Sequence, residues 1–285
     1  MTSPSLTLLP DYIGPSTWWQ HVPIAHWLMC EVKPQSVVEL GTHYGVSFFA
    51  FCEAAEAFSK TSFLYAVDTW EGDHQAGHYG HEVFEKVKSH ADRKHRLRSR
   101  LIRSTFDDAA QYFDDQSIDL LHIDGLHTYA AVKHDYETWL PKLKENSIIL
   151  FHDINVRERE FGVWKLWDEL KETHTTYETA NGHGLGILLR GDRLKETMAP
   201  FPEALPILTS KGVLLEMMAE RSDEGSFESR LSQQEINHLI ATNKHLQQTL
   251  FDTQAQLNAV LTSRTWRYSR RLLSFLPRRQ QRQSP

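Results

Sequence analysis

Short apolar runs alternate with helix-length segments through the middle of the chain. Strands are predicted over residues 36–40, 63–68, 97–104, 118–124 and 147–153. The segments between and after them predict helices over residues 46–58, 81–96, 106–113, 128–143 and 160–173. Because parallel strands need long crossover connections, this alternation predicts a parallel sheet covered by helices on both faces.

The pattern changes after residue 174. Two extended runs flank Asn181-Gly182, a pair that favours a tight antiparallel turn. The sequence therefore predicts a doubly wound, Rossmann-like α/β fold, mostly parallel, that is closed by a C-terminal antiparallel hairpin. Dinucleotide-binding dehydrogenases of similar pattern usually end differently.

The rest of the chain divides around this domain. Residues 1–35 predict a helical lead-in, with the helix at roughly 16–32, and residues 36–200 form the main domain. Prolines at 200, 202 and 206 predict a linker over 201–226. Residues 227–262 are rich in glutamine, and their apolar positions approach a heptad rhythm. They predict a long helix, either a coiled coil that joins copies of the chain or a single helix docked on its own domain.

Composition narrows the class of protein. The 285 residues carry a net charge of −6 and only two cysteines, which excludes a disulfide framework and favours a reducing, cytoplasmic location. No run of 18 uncharged apolar residues predicts a membrane span, and the first residues lack the pattern of a signal peptide.

The charge is unevenly distributed. Residues 263–285 contain seven arginines and no acidic residue, interleaved with aromatic and aliphatic side chains. As a helix, this basic tail suits the surface of an anionic membrane, which would place the protein peripherally at the inner face. A solvated, disordered tail is the alternative. Nucleic acid is not an expected partner, because no recognised binding fold accompanies the tail.

A glycine turn follows the first strand. Its pattern is E-x-G-x-x-x-G, formed by Glu39, Gly41 and Gly45, and it opens a helix. The dinucleotide pattern G-x-G-x-x-G presents backbone amides to a pyrophosphate, which a carboxylate would repel. Glu39 instead suits the cationic end of a ligand, although a purely structural turn is the alternative.

Asp68 ends the second strand, where doubly wound folds place the acid that binds ribose hydroxyls. A helix cap or a turn is the alternative reading of this residue. Together with the glycine turn, Asp68 predicts a nucleoside ligand that has a zwitterionic tail and no phosphate, and S-adenosylmethionine fits this description.

Polar residues also end the fourth and fifth strands. Asp124 and His127 follow one strand, and His152 and Asp153 end the next. Ligands of open α/β sheets bind at the carboxyl ends of the strands, so these residues are expected in the same crevice. Asp124, His152 and Asp153 are candidate ligands of a divalent ion, and His127 is a candidate general base. A structural role for such histidines is the competing interpretation.

Sixteen histidines are more than usual, and three of them, His74, His78 and His81, fall in one loop. Glycines at 77 and 80 argue against a stable helix there. The loop is therefore predicted to be a mobile lid on the substrate side, and a zinc site is the less favoured alternative.

Residues 36–190 resemble class I S-adenosylmethionine-dependent methyltransferases, in the branch of macrolide-sugar O-methyltransferases and cephalosporin-hydroxylase-like proteins. The resemblance is carried by VDTWEGDHQAGHYG (67–80), LLHIDGLHTYAAVKHDYETWLPKL (120–143) and IILFHDINVRERE (148–160). These blocks are similar to a bacterial subgroup linked to polysaccharide biosynthesis.

The resemblance implies roles for the candidate residues. Cofactor contacts would come from Glu39, Gly41, Gly45 and Ser47 around the methionine end, Asp68 at the ribose and Ser104 near the adenine. Metal-dependent relatives hold Mg²⁺ with the positions of Asp124, His152 and Asp153, and they use the His127 position as the base. Here His152 stands where a carboxylate is usual, which either weakens the metal assignment or favours another divalent ion.

The implied function is O-methylation of a sugar hydroxyl in a bacterial surface glycan, such as an O-antigen, or in its lipid-linked precursor. Two alternatives remain at this point. One is a hydroxylase-like oxidoreductase on the same fold. The other is a non-catalytic scaffold whose C-terminal helix organises a glycan-assembly complex.

Overall fold

Seven strands form the central sheet in a computed structural model, which describes residues 3–75, 77–158 and 160–220. In chain order they are β1 (Ser36–Leu40), β2 (Phe63–Asp68), β5 (Ser99–Arg103), β6 (Ile118–Ile123), β7 (Leu143–His152), β8 (Thr175–Thr179) and β9 (Leu185–Arg190). Two short strands between β2 and β5, β3 (Gly72–Asp73) and β4 (Gly77–His78), pair only with each other.

The order of strands across the sheet is β5-β2-β1-β6-β7-β9-β8. The first five run parallel, whereas β9 is antiparallel to both β7 and β8. The chain builds outward from β1 in one direction and then from β6 in the other, so a topological switch lies between β1 and β6. The prediction of a mostly parallel, doubly wound sheet that ends in an antiparallel hairpin is confirmed.

Eight α-helices connect and cover the strands in the described residues. They are α1 (Val22–Glu31), α2 (Val46–Phe58), α3 (His81–His90), α4 (Phe106–Ala110), α5 (Tyr129–Trp139), α6 (Val163–Lys171), α7 (Leu194–Met198) and α8 (Phe201–Glu220). Thr105 and Thr128 start α4 and α5, because each side chain accepts a backbone N–H of the first turn. A π-turn, Ala91–His95, continues α3.

The sheet separates two apolar layers. Strand residues alternate between them, so that Val37 packs with the layer of α1, α2 and α8, whereas Val38 packs with the layer of α4, α5 and α6. Burial on both faces is the arrangement expected of a parallel sheet. The first layer also receives the N-terminal segment, which includes Trp18.

Residues 201–220, predicted as part of a linker, instead form the helix α8. Pro202 lies in the first turn of the helix, where a backbone N–H would have no acceptor within the helix, so its absence costs nothing. Pro206 removes one backbone hydrogen bond near the start of the helix. The helix buries Leu208 and Leu215 and packs tightly at Gly212. The predicted coiled coil (227–262) and basic tail (263–285) lie outside the described residues.

No helix in the described part of the chain is both long and apolar enough to cross a membrane.

Gly212 offers a test of how α8 docks. A Cβ at this position would lie 2.1 Å from the backbone oxygen of Gln20. We expect Gly212→Ala to lower the free energy of unfolding by roughly 2 kcal/mol, because backbone cannot yield as a side chain does. In an unhindered helix the same change would stabilise by up to about 1 kcal/mol. Urea denaturation measures the effect, with exposed Ser210→Ala as the control; increased stability of Gly212→Ala would contradict the docking.

Candidate functional site

The glycine turn after β1 lies directly against the end of β6. Gly41 has a φ of +85°, and a Cβ there would lie 2.1 Å from the carbonyl oxygen of Asp124. Gly45 has a φ of +84°, and a Cβ there would come within 2.9 Å of the Phe49 ring. Both positions therefore require glycine. The close approach at Gly41 brings the turn and the Asp124 segment together at the topological switch.

Asp68 holds this turn in place. Its Oδ2 accepts the backbone N–H groups of Thr42 (2.8 Å) and His43 (2.9 Å), and its Oδ1 accepts that of Trp70 (2.7 Å). The Tyr79 hydroxyl also hydrogen bonds to this carboxylate. The four or so acceptor positions of a carboxylate are therefore all engaged, and a ribose hydroxyl would have to share or replace one of these donors. Ser104 lies beside Asp68, since its backbone N–H donates to the Asp68 carbonyl (3.0 Å).

Glu39 belongs to a buried hydrogen-bonded chain. The Trp18 indole N–H donates to Nε2 of His122 (3.2 Å), so the proton of the neutral ring lies on Nδ1, which donates to Oε2 of Glu39 (2.9 Å). Oε1 of Glu39 has no hydrogen-bond partner in the described residues. Burial raises the pKa of Glu39, while His122 and the nearby Ser47 hydroxyl lower it. The unpartnered Oε1 is thus available to a hydrogen-bond donor behind the glycine turn.

Asp124, His152 and Asp153 form a buried ionic cluster. Nδ1 of His152 lies 3.2 Å from Oδ1 of Asp124 and 3.1 Å from Oδ2 of Asp153. Its Nε2–H donates to the carbonyl of Gly182 (3.1 Å). Burial opposes the charge on His152, but the two carboxylates raise the pKa of the ring well above its usual value. His152 is therefore an imidazolium between two carboxylates.

The same balance keeps the carboxylates ionised. Burial alone would raise the pKa values of Asp124 and Asp153, but His152 and His127 hold both below the usual range. In Asp153, Oδ1 also lies 3.1 Å from Nδ1 of His183, in the turn between β8 and β9. The cluster thus joins the ends of β6 and β7 to the hairpin.

His127 faces this cluster from the loop after β6. Its Nε2 lies 2.9 Å from Oδ2 of Asp153 and 3.4 Å from Oδ1 of Asp124. Its Nδ1 lies 3.1 Å from the amide oxygen of Gln75, and its ring stacks on Phe161 at 4.6 Å. Every partner of the ring nitrogens is an acceptor. Burial would lower the pKa of His127, but the two carboxylates raise it to about 9.

A pKa near 9 changes the expected chemistry of His127. A general base must be unprotonated, whereas His127 in this arrangement is protonated at neutral pH. The sequence placed its action near neutrality, and the geometry moves that action to alkaline pH. The assignment of His127 as the base stays a prediction.

Three contacts to the cluster came from residues that the sequence did not single out. Gln75 lies in the predicted lid, between β3 and β4, and reaches both the backbone N–H and the ring of His127. His183 follows the Asn181-Gly182 turn. His21 donates from Nε2 to the Gly182 carbonyl (2.8 Å), and burial lowers its pKa to about 3. No local motif signals these contacts, because they join segments distant in sequence.

The three histidines of the lid behave differently. His74, His78 and His81 are exposed, and among the described residues they take part in no cluster of metal-ligand atoms. The described part of the chain therefore gives the less favoured zinc reading no support.

The Asp124 cluster contains a set of atoms that fits a divalent ion. One ligand atom from each of Asp124, His152 and Asp153 lies within 4.8 Å of the other two. The Nε2–H of His152 is held by a carbonyl, which is the tautomer that a ligand at Nδ1 requires. A mixed nitrogen and oxygen set suits a transition ion better than Mg²⁺. Binding would have to displace the Nδ1 proton.

A cavity of about 570 Å³ opens beside the cluster. It is lined by Phe161, His183 and the loop after β7, which contributes Asn155, Val156, Arg157 and Glu158. Phe161 stacks on His127 and His183 contacts Asp153, so His127 and Asp153 each lie one side chain behind the wall of the cavity. Arg157 lies over the ring of Trp164 at 4.2 Å, which orients its guanidinium. The cavity therefore offers a second ligand a mixture of polar groups and apolar surface, which includes the ring of Phe161.

A family model described as a methyltransferase domain matches residues 38–154, from β1 to just beyond β7. The chain is also 45% identical over 197 residues to an uncharacterized protein, y4gI, of Sinorhizobium fredii (strain NBRC 101917 / NGR234). That match covers 69% of this chain and 22% of the relative, so the chain spans about a fifth of that relative's length.

Similar solved structures include an O-methyltransferase from Bacillus cereus in complex with SAH, at 13% identity and a TM-score of 0.46. The match covers 64% of this chain and 84% of that one. Another is the O-methyltransferase TomG from Streptomyces achromogenes in complex with SAM, at 12% identity and a TM-score of 0.46. Here 67% of this chain and 92% of the other are covered.

The raised pKa of His127 predicts a pH-dependent contribution to stability. Because the folded pKa is about 9 and the unfolded value about 6.5, the contribution is fully present below pH 6.5 and is lost as pH rises through 9. It amounts to about 3 kcal/mol. We expect His127→Gln to lose less stability than the wild type between pH 6.5 and 9, measured by urea unfolding with a chelator present.

The control for this experiment is His134→Gln. His134 is exposed on α5 and pairs with Asp107 in solvent, so its removal should barely alter the slope. Equal slopes for His127→Gln and the wild type would contradict the raised pKa.

Proposed function

We propose that the chain is an S-adenosylmethionine-dependent O-methyltransferase that acts on a sugar hydroxyl. The observation that carries the proposal is the pairing, at the topological switch, of the glycine turn with the cluster of Asp124, His127, His152 and Asp153. The match of residues 38–154 to a methyltransferase domain supports it.

The cofactor would lie along the carboxyl ends of β1, β2 and β5. Gly41 and Gly45 keep the turn free of side chains there, and the free acceptor oxygen of Glu39 suits the ammonium group of the methionine end. Asp68 would accept a ribose hydroxyl in exchange for the Tyr79 hydroxyl, with Ser104 beside it on the adenine side. Ser47 faces Glu39, so we assign it to orienting that carboxylate.

The acceptor would occupy the cavity beside the cluster. Its polar side chains match the hydroxyl groups of a sugar, and the edge of Phe161 suits the apolar face of a pyranose ring. A sugar of a bacterial surface glycan, or its lipid-linked precursor, is the acceptor that the sequence blocks favour. A hydroxyl placed here would be one side chain away from His127, through Phe161, and from Asp153, through His183.

In the reaction, the acceptor oxygen attacks the methyl carbon of the sulfonium. The C–O bond forms as the C–S bond breaks, giving a methyl ether and S-adenosylhomocysteine. The unprotonated form of His127 would take the hydroxyl proton, held in line by Gln75 and by its stacking on Phe161. A divalent ion held by Asp124, His152 and Asp153 would supply Lewis acidity toward the acceptor oxygen.

The test is transfer of labelled methyl groups from S-adenosylmethionine to cell-envelope glycan fractions, with and without chelator and added divalent ions. We expect incorporation that, with a chelator present, rises with pH toward 9, the pKa of His127. His127→Gln should lower turnover by about 100-fold or more while the cofactor Kd stays the same. His134→Gln, exposed on α5, is the matched control.

Three other outcomes would change the proposal. Wild-type turnover of His127→Gln would contradict the assignment of His127 as the general base. Oxidation of the acceptor without methyl incorporation would favour the oxidoreductase. Cofactor binding without turnover on any glycan fraction would favour the scaffold.

We further propose that residues 227–262, whose apolar positions approach a heptad rhythm, join copies of the chain.

A separate proposal is that residues 263–285 hold the enzyme against anionic lipid at the inner face of the membrane. The alternation of arginine with aromatic residues in this tail supports the membrane contact. We expect the full chain to float with vesicles containing anionic lipid, and a chain lacking residues 264–285 to remain in the dense fraction at physiological salt. Equal recovery of both would contradict the membrane contact.

A further inference from the structure

A second group of ligand-type side chains lies apart from the strand edge. It consists of Glu53 on α2, His90 at the end of α3 and His95 at the end of the π-turn. Each offers a ligand atom within 4.8 Å of the other two. Their exposed fractions are only 8%, 5% and 5%. The group is therefore enclosed, unlike surface acidic clusters.

Each of the three side chains has one buried atom without a hydrogen-bond partner in the described residues. These atoms are Oε2 of Glu53, Nε2 of His90 and Nε2 of His95. Leaving such an atom unsatisfied costs about 1–3 kcal/mol. Three unsatisfied atoms from neighbouring residues indicate a shared partner that is not a side chain.

The other polar atoms of Glu53 and His95 do have hydrogen-bond partners. Oε1 of Glu53 accepts the backbone N–H groups of Asp11 (2.9 Å) and Tyr12 (3.1 Å). Nδ1 of His95 donates to Oε1 of Glu56 (2.7 Å), which leaves the lone pair of the neutral ring on Nε2. A metal-bound histidine commonly donates the N–H of its other ring nitrogen to a carboxylate, as His95 does to Glu56.

We propose that Glu53, His90 and His95 bind a divalent transition-metal ion of the zinc class, at a site distinct from the Asp124 cluster. Two imidazoles and one carboxylate match the ligand preferences of Zn²⁺, whereas Mg²⁺ and Ca²⁺ prefer oxygen alone. Zinc–ligand bonds of about 2.0–2.1 Å would need the three atoms to move inward by less than ~1 Å each. A water molecule would complete the tetrahedron.

Binding of the ion would change the protons that the site holds. Burial raises the pKa of Glu53 to about 8 and lowers that of His90 to about 4, so without a cation both groups are neutral at pH 7. Metal binding would then release the Glu53 proton. One contact opposes binding: the exposed Arg93 guanidinium donates to Nδ1 of His90 (3.2 Å), which favours a proton on Nε2. Arg93 must turn away for Nε2 to bind the ion.

The ion would tie three segments together: α2, the end of α3 and the N-terminal stretch that Glu53 holds at Asp11 and Tyr12. Phe49 packs against both histidine rings, at 4.5 Å from His90 and 5.6 Å from His95. A Cβ on Gly45 would meet the same Phe49 ring. The site is therefore one side chain away from the glycine turn and would stiffen the helix that the turn opens.

The experiment titrates Zn²⁺, and Co²⁺ as a spectroscopic probe, into metal-stripped full-length protein. The Asp124 cluster is silenced by D124N/D153N so that only the second site is counted. We expect one equivalent bound, tetrahedral cobalt absorption bands and a rise in Tm. Glu53→Gln and His90→Gln should weaken binding at least 100-fold, and Arg93→Gln should strengthen it. His81→Gln, exposed at the start of α3, is the matched control.

If D124N/D153N fails to fold, the comparison is made between the wild type and Glu53→Gln. This isosteric variant keeps an oxygen for Asp11 and Tyr12 and should bind one equivalent fewer than the wild type. Equal stoichiometry and affinity in the wild type, Glu53→Gln and His90→Gln would overturn the proposal. That result would assign the shared partner to a buried water.

Discussion

Asp153 retains its charge in a nearly closed environment because histidines from three segments surround it. His152 is its neighbour at the end of β7, His127 arrives from the loop after β6, and His183 arrives from the β8–β9 turn. A buried carboxylate without such partners would cost several kcal/mol. Asp153 itself adopts a φ of +60°, a conformation that the surrounding contacts must maintain. The arrangement of the three histidines around Asp153 therefore depends on how that charge is balanced.

The balance can be reached with protons or with a metal ion, and the two forms differ in chemistry. In the protonated form, the rings of His127 and His152 carry the positive charge, and no nitrogen of either ring is free to accept a proton. With a divalent ion beside Asp124 and Asp153, the need for protonated rings falls, because the cation supplies the same compensation. His127 would then be released toward its unperturbed pKa. Cation binding at this cluster would thus control whether His127 is available as a base.

The fold was predictable because its signals are local. Alternating strands and helices defined the parallel sheet, and Asn181-Gly182 marked the hairpin. Strand ends also indicated which polar residues would meet, since Asp124 and Asp153 terminate adjacent strands. His21 and Gln75 were not predictable, because only tertiary packing brings them to the cluster. The prolines before residue 207 suggested a linker, yet a proline near a helix start costs little when the rest of the helix is buried.

Two groups of histidines answer a common physical problem at two places in the fold. A carboxylate enclosed by apolar layers needs a partner that can change its charge at moderate cost, and imidazole is the side chain with that property. At the strand edge, the carboxylates are ionised and the rings carry protons. Around Glu53, burial keeps both the carboxyl group and the His90 ring neutral, with pKa values of about 8 and about 4. The first arrangement is already compensated, so a cation would have to displace protons from an ion-paired cluster. The second lacks a compensating charge, so a cation there would displace the proton of neutral Glu53 and the Arg93 contact at His90.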